Sequence, residues 1–235
     1  MKIFLDCANL DTIKEFKDNP LVQGYTTNPS LLRKAGVIDY VKFAKELLFL
    51  AGDKPVSLEV LADDFGEMER QAKIISSWGN NAFTKIPITN SRGESSIPTI
   101  YKLLHEGIPI NITAVFTKRQ IRDIEVMLDE VEMFRGNTPL IVSLFAGRIA
   151  DTGRFPVPRI RSAKNVLKER ALLLWASSRE VINITEAEHV GCDIITCSPE
   201  LLKKHQECHK KDLNVFSRET VKMFYNDAQA SGFTL

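Results

Sequence analysis

The sequence has no long apolar run, almost no excess charge, few cysteines and no glycine-rich first turn. Each shortage removes a class of protein. No stretch approaches the roughly 18 apolar residues of a membrane-spanning helix. The start, MKIFLDCANLDTIKEF, carries acids too early to read as a signal or transit peptide. A formal net charge of +1 gives no basis for a nucleic-acid or anionic-membrane partner, so any anion recognition must be local. The four cysteines, Cys7, Cys192, Cys197 and Cys208, follow no disulfide or zinc spacing. Cys192, Cys197, His205, Cys208 and His209 lie close in sequence, but Cys192 and Cys197 flank one predicted strand and fit a core better than a metal site. No metal is expected, and a reducing cytoplasm is the expected compartment. The first predicted turn reads DCANLD, which lacks the glycines of a dinucleotide-binding open sheet.

What is present is a chain of 235 residues, 44% apolar and 26% charged, long enough to bury a core without staples. Short apolar, β-branched runs predict strands at 3–7, 24–27, 56–61, 83–88, 110–115, 140–145, 172–176 and 193–197. Amphipathic stretches between them predict helices at 11–18, 37–51, 64–77, 97–106, 118–130, 157–170, 179–189 and 199–205. Eight strands, each followed by a helix, predict a closed (β/α)₈ TIM barrel occupying residues 1–235 as one domain. A further helix near 218–230 has no ninth strand to cover.

In such a barrel the site lies at the C-terminal ends of the strands. Polar residues gather there: Asp6, then Thr26, Thr27 and Asn28, then Glu59, Lys85, Asn111 and Thr113. Ser143 with Arg148, Ser177 with Arg179, and Thr196 with Ser198 follow on the later strands. Taken singly, each has an ordinary explanation. A strand lysine snorkels, an aspartate turns the chain, and an asparagine before proline caps a helix. Taken together, Asp6, Glu59 and Lys85 place three charges in three apolar strands, and burying them is costly unless they compensate one another.

Lys85, within NAFTKIPITN, is the sharpest of these. Desolvation disfavours an ammonium, and a neutral amine attacks carbonyls to form a Schiff base. The iminium then draws electrons from a neighbouring carbon–carbon bond. Such chemistry also needs a base and a proton relay, for which Asp6 and Glu59 are suited. Ser177 and Arg179, read as opening a helix, could bind phosphate with Arg148, or could simply cap that helix in solvent.

These segments resemble the transaldolases. The resemblance rests on FLDCANLDTIKEF, GYTTNPSLL, TKIPIT, GIPINITAVFTKRQ, SLFAGRIADTG and WASSRE, which run in the family's order over most of the chain. The compact branch of that family also holds the fructose-6-phosphate aldolases. The resemblance implies that Lys85 forms the imine with a ketose phosphate and that Asp6 accepts the proton of the cleaved hydroxyl. By the same resemblance Glu59 and Thr113 hold the catalytic water. Asn28, Asn111 and Ser143 would then bind the dihydroxyacetone hydroxyls, and Arg148, Ser177 and Arg179 the phosphate. It also implies sugar phosphates as substrates, no cofactor, and a homo-oligomer reached by the last helix.

Within the family, Glu59 resembles transaldolases where the aldolase branch has glutamine, and Phe145 stands where that branch has tyrosine. Transfer is therefore expected over release of free dihydroxyacetone. The aldolase remains the enzymatic alternative, and a non-catalytic sugar-phosphate-binding barrel the alternative of another class. Leu144, Ala146, Ala150 and Thr152 depart from the family pattern beside Ser143 and Arg148, and so does the segment RFPVPRIRSAKNVLKER. A specialised sugar substrate fits these departures.

Overall fold

A computed structural model describes residues 1–131 and 138–234. Eight parallel strands close into a barrel in sequence order: β1 (Lys2–Asp6), β2 (Val22–Thr26), β3 (Val56–Glu59), β4 (Ala82–Pro87), β5 (Ile110–Val115), β6 (Leu140–Leu144), β7 (Leu172–Trp175) and β8 (Ile194–Cys197). The first strand closes on the last, with Ile3 opposite Ile195 and Leu5 opposite Cys197. The helices are α1 (Leu10–Phe16), α2 (Pro29–Lys34), α3 (Tyr40–Ala51), α4 (Phe65–Ser76), α5 (Ile97–His105), α6 (Lys118–Val131), α7 (Ala146–Ala150), α8 (Val157–Leu167), α9 (Ile182–His189), α10 (Pro199–Cys208) and α11 (Leu213–Ser231).

Helix starts follow capping chemistry. Asn9, Asn28, Asp39, Asp64, Ser198 and Asp212 each accept a hydrogen bond from a first-turn backbone N–H. On α3 the apolar positions Phe43, Ala44, Leu47, Leu48 and Ala51 recur at helical spacing and are buried. They join the main core, the apolar layer between strands and helices.

The barrel interior is stratified by the two-residue period of a strand. Phe4 lies two residues before Asp6, Phe83 before Lys85, Ile141 before Ser143, and Ile194 before Thr196. Phe4, Ile141, Leu174, Ala176 and Ile194 form a second apolar cluster, with Phe83 and Phe145 packed against it. Apolar side chains thus fill the lower barrel and polar ones its mouth. Gly24 makes room for this floor, because a Cβ there would sit 2.5 Å from the Phe4 ring.

Three readings of the sequence need correction. The two short helices α2 and α7 follow β2 and β6, where none was predicted. The helix after β7 begins at Ile182 and not at residue 179, because Ser177 has a left-handed φ of 64° that breaks the entry. The last helix begins at Leu213, five residues before the predicted start, under its Asp212 cap. None of its described side chains is buried, and Phe216, Val221, Met223, Phe224 and Tyr225 are exposed along it. No helix among the described residues is long and apolar enough to cross a membrane.

The floor gives a direct test. Gly24→Ala should destabilise the fold by about 1–3 kcal/mol, since the enclosed Phe4 ring cannot swing aside. Phe4→Leu in the same chain should relieve part of that loss, making the double variant more stable than the summed single effects in urea denaturation. Additive losses would show that the two residues do not collide.

Candidate active site

Strand register sets the site. Glu59 pairs with Lys85 across β3 and β4, Lys85 with Asn111 across β4 and β5, and Asp6 with Thr26 across β1 and β2. The side chains of these residues therefore meet in the mouth of the barrel.

Lys85 is at the centre. Its Nζ lies 2.8 Å from Glu59 Oε1 and donates to the backbone oxygen of Thr27 at 2.7 Å. The two side chains are only 7% and 9% exposed, so the pair is desolvated. Glu59 Oε2 accepts from the Thr27 hydroxyl at 3.4 Å. Burial pushes the Glu59 carboxyl up to about 7, against the opposing pull of Lys85. The backbone of Glu59 is fixed by Tyr40, whose hydroxyl donates to its carbonyl at 2.9 Å.

Asp6 sits on the neighbouring side. Its Oδ1 accepts from the Thr26 hydroxyl at 2.8 Å, and its Oδ2 from Asn28 Nδ2 at 3.5 Å. Burial raises its pKa, with Lys85, Thr26 and Asn28 opposing. Opposite, Asn111 Nδ2 donates to Ser57 Oγ at 2.9 Å and Ser143 Oγ donates to Asn111 Oδ1 at 2.7 Å. Thr113 Oγ1 is buried and has no hydrogen-bond partner among the described residues.

Arg148 and Arg179 lie further out. The Arg148 guanidinium sits 5.5 Å from the Phe145 ring centre, and Phe145 leans on Phe116. Arg179 forms a two-point contact with Asp151, Nε to Oδ1 at 3.2 Å and the second nitrogen to Oδ2 at 2.6 Å. Both guanidiniums hold the Asp151 carboxyl below its usual range, Arg179 more strongly. Gly147 lets these loops meet, because a Cβ there would fall 1.5 Å from the Ser177 carbonyl oxygen. Ser177 and Arg179 do not open a helix, and the N–H groups of Arg179 and Glu180 are taken by Asn183 Oδ1. An anion here would rely on the guanidiniums and not on a helix dipole.

The predicted residues thus gather in two groups, an interior ring and an outer arginine pair. Thr26 and Thr196, read from the sequence only as polar strand-end residues, bond to each other at 2.6 Å, whereas Ser57 and Tyr40 were not predicted as site residues. Ser57 lies two residues before Glu59 and so shares its face, which period two could have signalled. Nothing in the sequence marks Tyr40. Leu144 and Ala146 belong to the main core and Thr152 caps the end of α7, so these departures from the family pattern are met by packing. Cys192 and Cys197 are buried in that core, and among the described residues no group of three or more His, Cys, Asp or Glu could hold a metal ion.

The family model described as transaldolase/fructose-6-phosphate aldolase matches residues 3–235. The chain belongs to this family. A protein of Nitrosopumilus maritimus described as a probable transaldolase is 34% identical over 208 residues, covering 87% of this chain and 86% of its own. One from Thermoplasma volcanium, described in the same words, is 36% identical over 208 residues and covers 86% of each chain. Among solved structures, 3-hexulose-6-phosphate synthase from Salmonella typhimurium aligns with a TM-score of 0.58 at 16% identity, over 84% of this chain and 89% of its own. A likeness at that identity concerns the barrel alone.

Infrared titration should show one glutamic carboxyl changing from protonated to ionised near pH 7, and Glu59→Gln should remove that change. A titration confined to the ordinary carboxylate range would contradict the effect of burial on Glu59.

Proposed function

We propose that the protein is a transaldolase acting through a lysine Schiff base. It would move a dihydroxyacetone unit from a ketose phosphate, such as fructose 6-phosphate or sedoheptulose 7-phosphate, to an aldose phosphate. The observation that carries this reading is the buried Lys85–Glu59 contact at 2.8 Å, within a ring of hydrogen-bonding side chains at the barrel mouth. A purely binding barrel would have no need of a desolvated amine held against a carboxyl that titrates near neutrality.

In this scheme Lys85 passes a proton to Glu59 and attacks the ketose carbonyl carbon. Loss of water gives the iminium. The bond between the third and fourth sugar carbons then breaks, and its electron pair moves into the iminium to form an enamine. Asp6 takes the proton of the hydroxyl on the fourth carbon, which leaves as an aldehyde. The enamine attacks an acceptor aldehyde, whose oxygen takes the proton back from Asp6. Glu59 and Thr113 hold the water lost on imine formation and consumed on its hydrolysis. The orphan hydroxyl of Thr113 supports that role.

Asn28, Asn111 and Ser143 would bind the hydroxyls of the three-carbon unit, and Arg148, Ser177 and Arg179 the phosphate. The scheme calls on no cofactor. Phe145 favours transfer over release, since its ring offers no hydroxyl to position water against the enamine.

Borohydride reduction with fructose 6-phosphate should leave a three-carbon adduct on the peptide carrying Lys85, and no free dihydroxyacetone should accumulate without an acceptor. Lys85→Ala should lose activity by about ten-thousand-fold or more, and Lys85→Arg should do no better, because a guanidinium forms no imine. An unmodified Lys85 in folded protein, or substantial activity in either variant, would sink the mechanism. Arg179→Ala should raise KM for phosphorylated sugars by about tenfold and leave unphosphorylated ones nearly unchanged. Equal effects on both would remove Arg179 from the phosphate site.

A further inference from the structure

Asp151 closes the C-terminal end of α7, its backbone fixed by a hydrogen bond donated to the Gly147 carbonyl at 2.9 Å. A carboxylate gains nothing from that position, because the C-terminal end of a helix carries partial negative charge. Its two oxygens instead accept from Arg179, Oδ1 from Nε at 3.2 Å and Oδ2 from Nη2 at 2.6 Å. Arg148, whose guanidinium lies over the Phe145 ring, is close enough to help hold the carboxyl below its usual range. The two outer guanidiniums thus share one internal anion. Arg179 and Asp151 are about half exposed, so their contact adds little to the fold.

Two parallel N–H···O bonds are also how a guanidinium takes a phosphate. A phosphate arriving at the Nε–Nη2 edge of Arg179 must displace the Asp151 carboxylate. A phosphate taken through the remaining nitrogen would sit beside that carboxylate and be repelled. The two routes have the same sign, and in each Asp151 opposes the incoming anion. The chain is built to let the contact exchange. Arg179 is long and flexible, and its stem crosses Gly147, with Cγ only 3.3 Å from where a Cβ would stand. Asp151 is short and its backbone is bonded, so the arginine is the partner that moves.

We propose that Asp151 is a built-in competitor for phosphate, a specificity-determining residue that holds Arg179 until a phosphorylated sugar arrives and takes it back when the sugar leaves. The inference rests on the reading of Arg179 as a phosphate ligand and goes beyond it: the chain itself sets the affinity of the rim, and sets it low. No covalent bond changes in the exchange. One guanidinium passes between two anions, and the charge of Asp151 decides how readily.

The test is a calorimetric titration of the full-length protein with inorganic phosphate, at constant ionic strength and above the second ionisation of phosphate. Asp151→Asn keeps the shape and removes the charge. It should tighten phosphate binding by about three- to tenfold, from the loss of an exposed pair and of the repulsion beside it. Asp151→Ala should do the same. Asp151→Glu keeps the charge and should bind phosphate nearly as weakly as the unaltered protein. An unchanged or weaker Kd in the two uncharged variants, or a glutamate variant as tight as they are, overturns the proposal. Weaker binding would mean that the carboxylate orients the guanidinium and does not compete with its ligand. Arg179→Ala separates the possible failures. If it weakens phosphate binding while Asp151→Asn fails to tighten it, the competitor alone is ruled out. If Arg179→Ala leaves binding as it was, Arg179 is no phosphate ligand and both readings fall.

Discussion

The site depends on one buried ion pair. Lys85 and Glu59 face each other where water is excluded, and each is tolerable there only because of the other. Removing one partner of such a pair costs about 3–5 kcal/mol, since it strands the remaining charge. The surroundings are arranged to share that burden. The carbonyl oxygen of Thr27 accepts from the ammonium, the Thr27 hydroxyl donates to the carboxylate, and Tyr40 ties down the backbone of Glu59. The shared position has a chemical consequence. Burial lifts the carboxyl to about 7, even with the Lys85 amine against it.

The barrel makes such a pair possible through its stratified interior. With Phe4, Phe83, Ile141 and Ile194 closing the lower barrel, every polar residue two positions onward faces one small mouth. A single strand could not support the arrangement, because its one polar side chain would have no partner. A closed barrel supplies partners from the adjacent strand, as Asn111 for Ser143 and Thr26 for Asp6, and from the strand beyond it, as Ser57 for Asn111 and Thr196 for Thr26. The apolar floor also keeps water from entering below, which is why burial dominates the shifts of both Asp6 and Glu59.

This logic explains which features the sequence reveals. Parallel strands covered on both faces read as continuous apolar runs, so all eight were legible, with errors of a few residues at their ends. A charge inside such a run breaks the pattern, which made Lys85, Glu59 and Asp6 visible. The helices α2 and α7 were not legible, since six and five residues make fewer than two turns and leave the apolar period unrepeated. The displaced start of α9 depends on the left-handed backbone of Ser177, and serine gives no notice of that conformation. Ser57 and Tyr40 escaped for different reasons. A serine in a strand is too common to signal, and the reach of Tyr40 to β3 exists only once α3 is packed over it.

The two ion pairs of the site differ in kind, and the difference suits their places. Arg179 and Asp151 are 47% and 51% exposed, so their contact is a surface pair worth about 0–1 kcal/mol. An incoming anion could draw the guanidinium away from Asp151 at little cost, and Asp151 would keep the side chain extended over Gly147 until then. Lys85 and Glu59 could not separate so cheaply. Pulling the two side chains apart would strand a charge in the interior. The site therefore combines an exchangeable pair at the rim with a fixed pair in the interior.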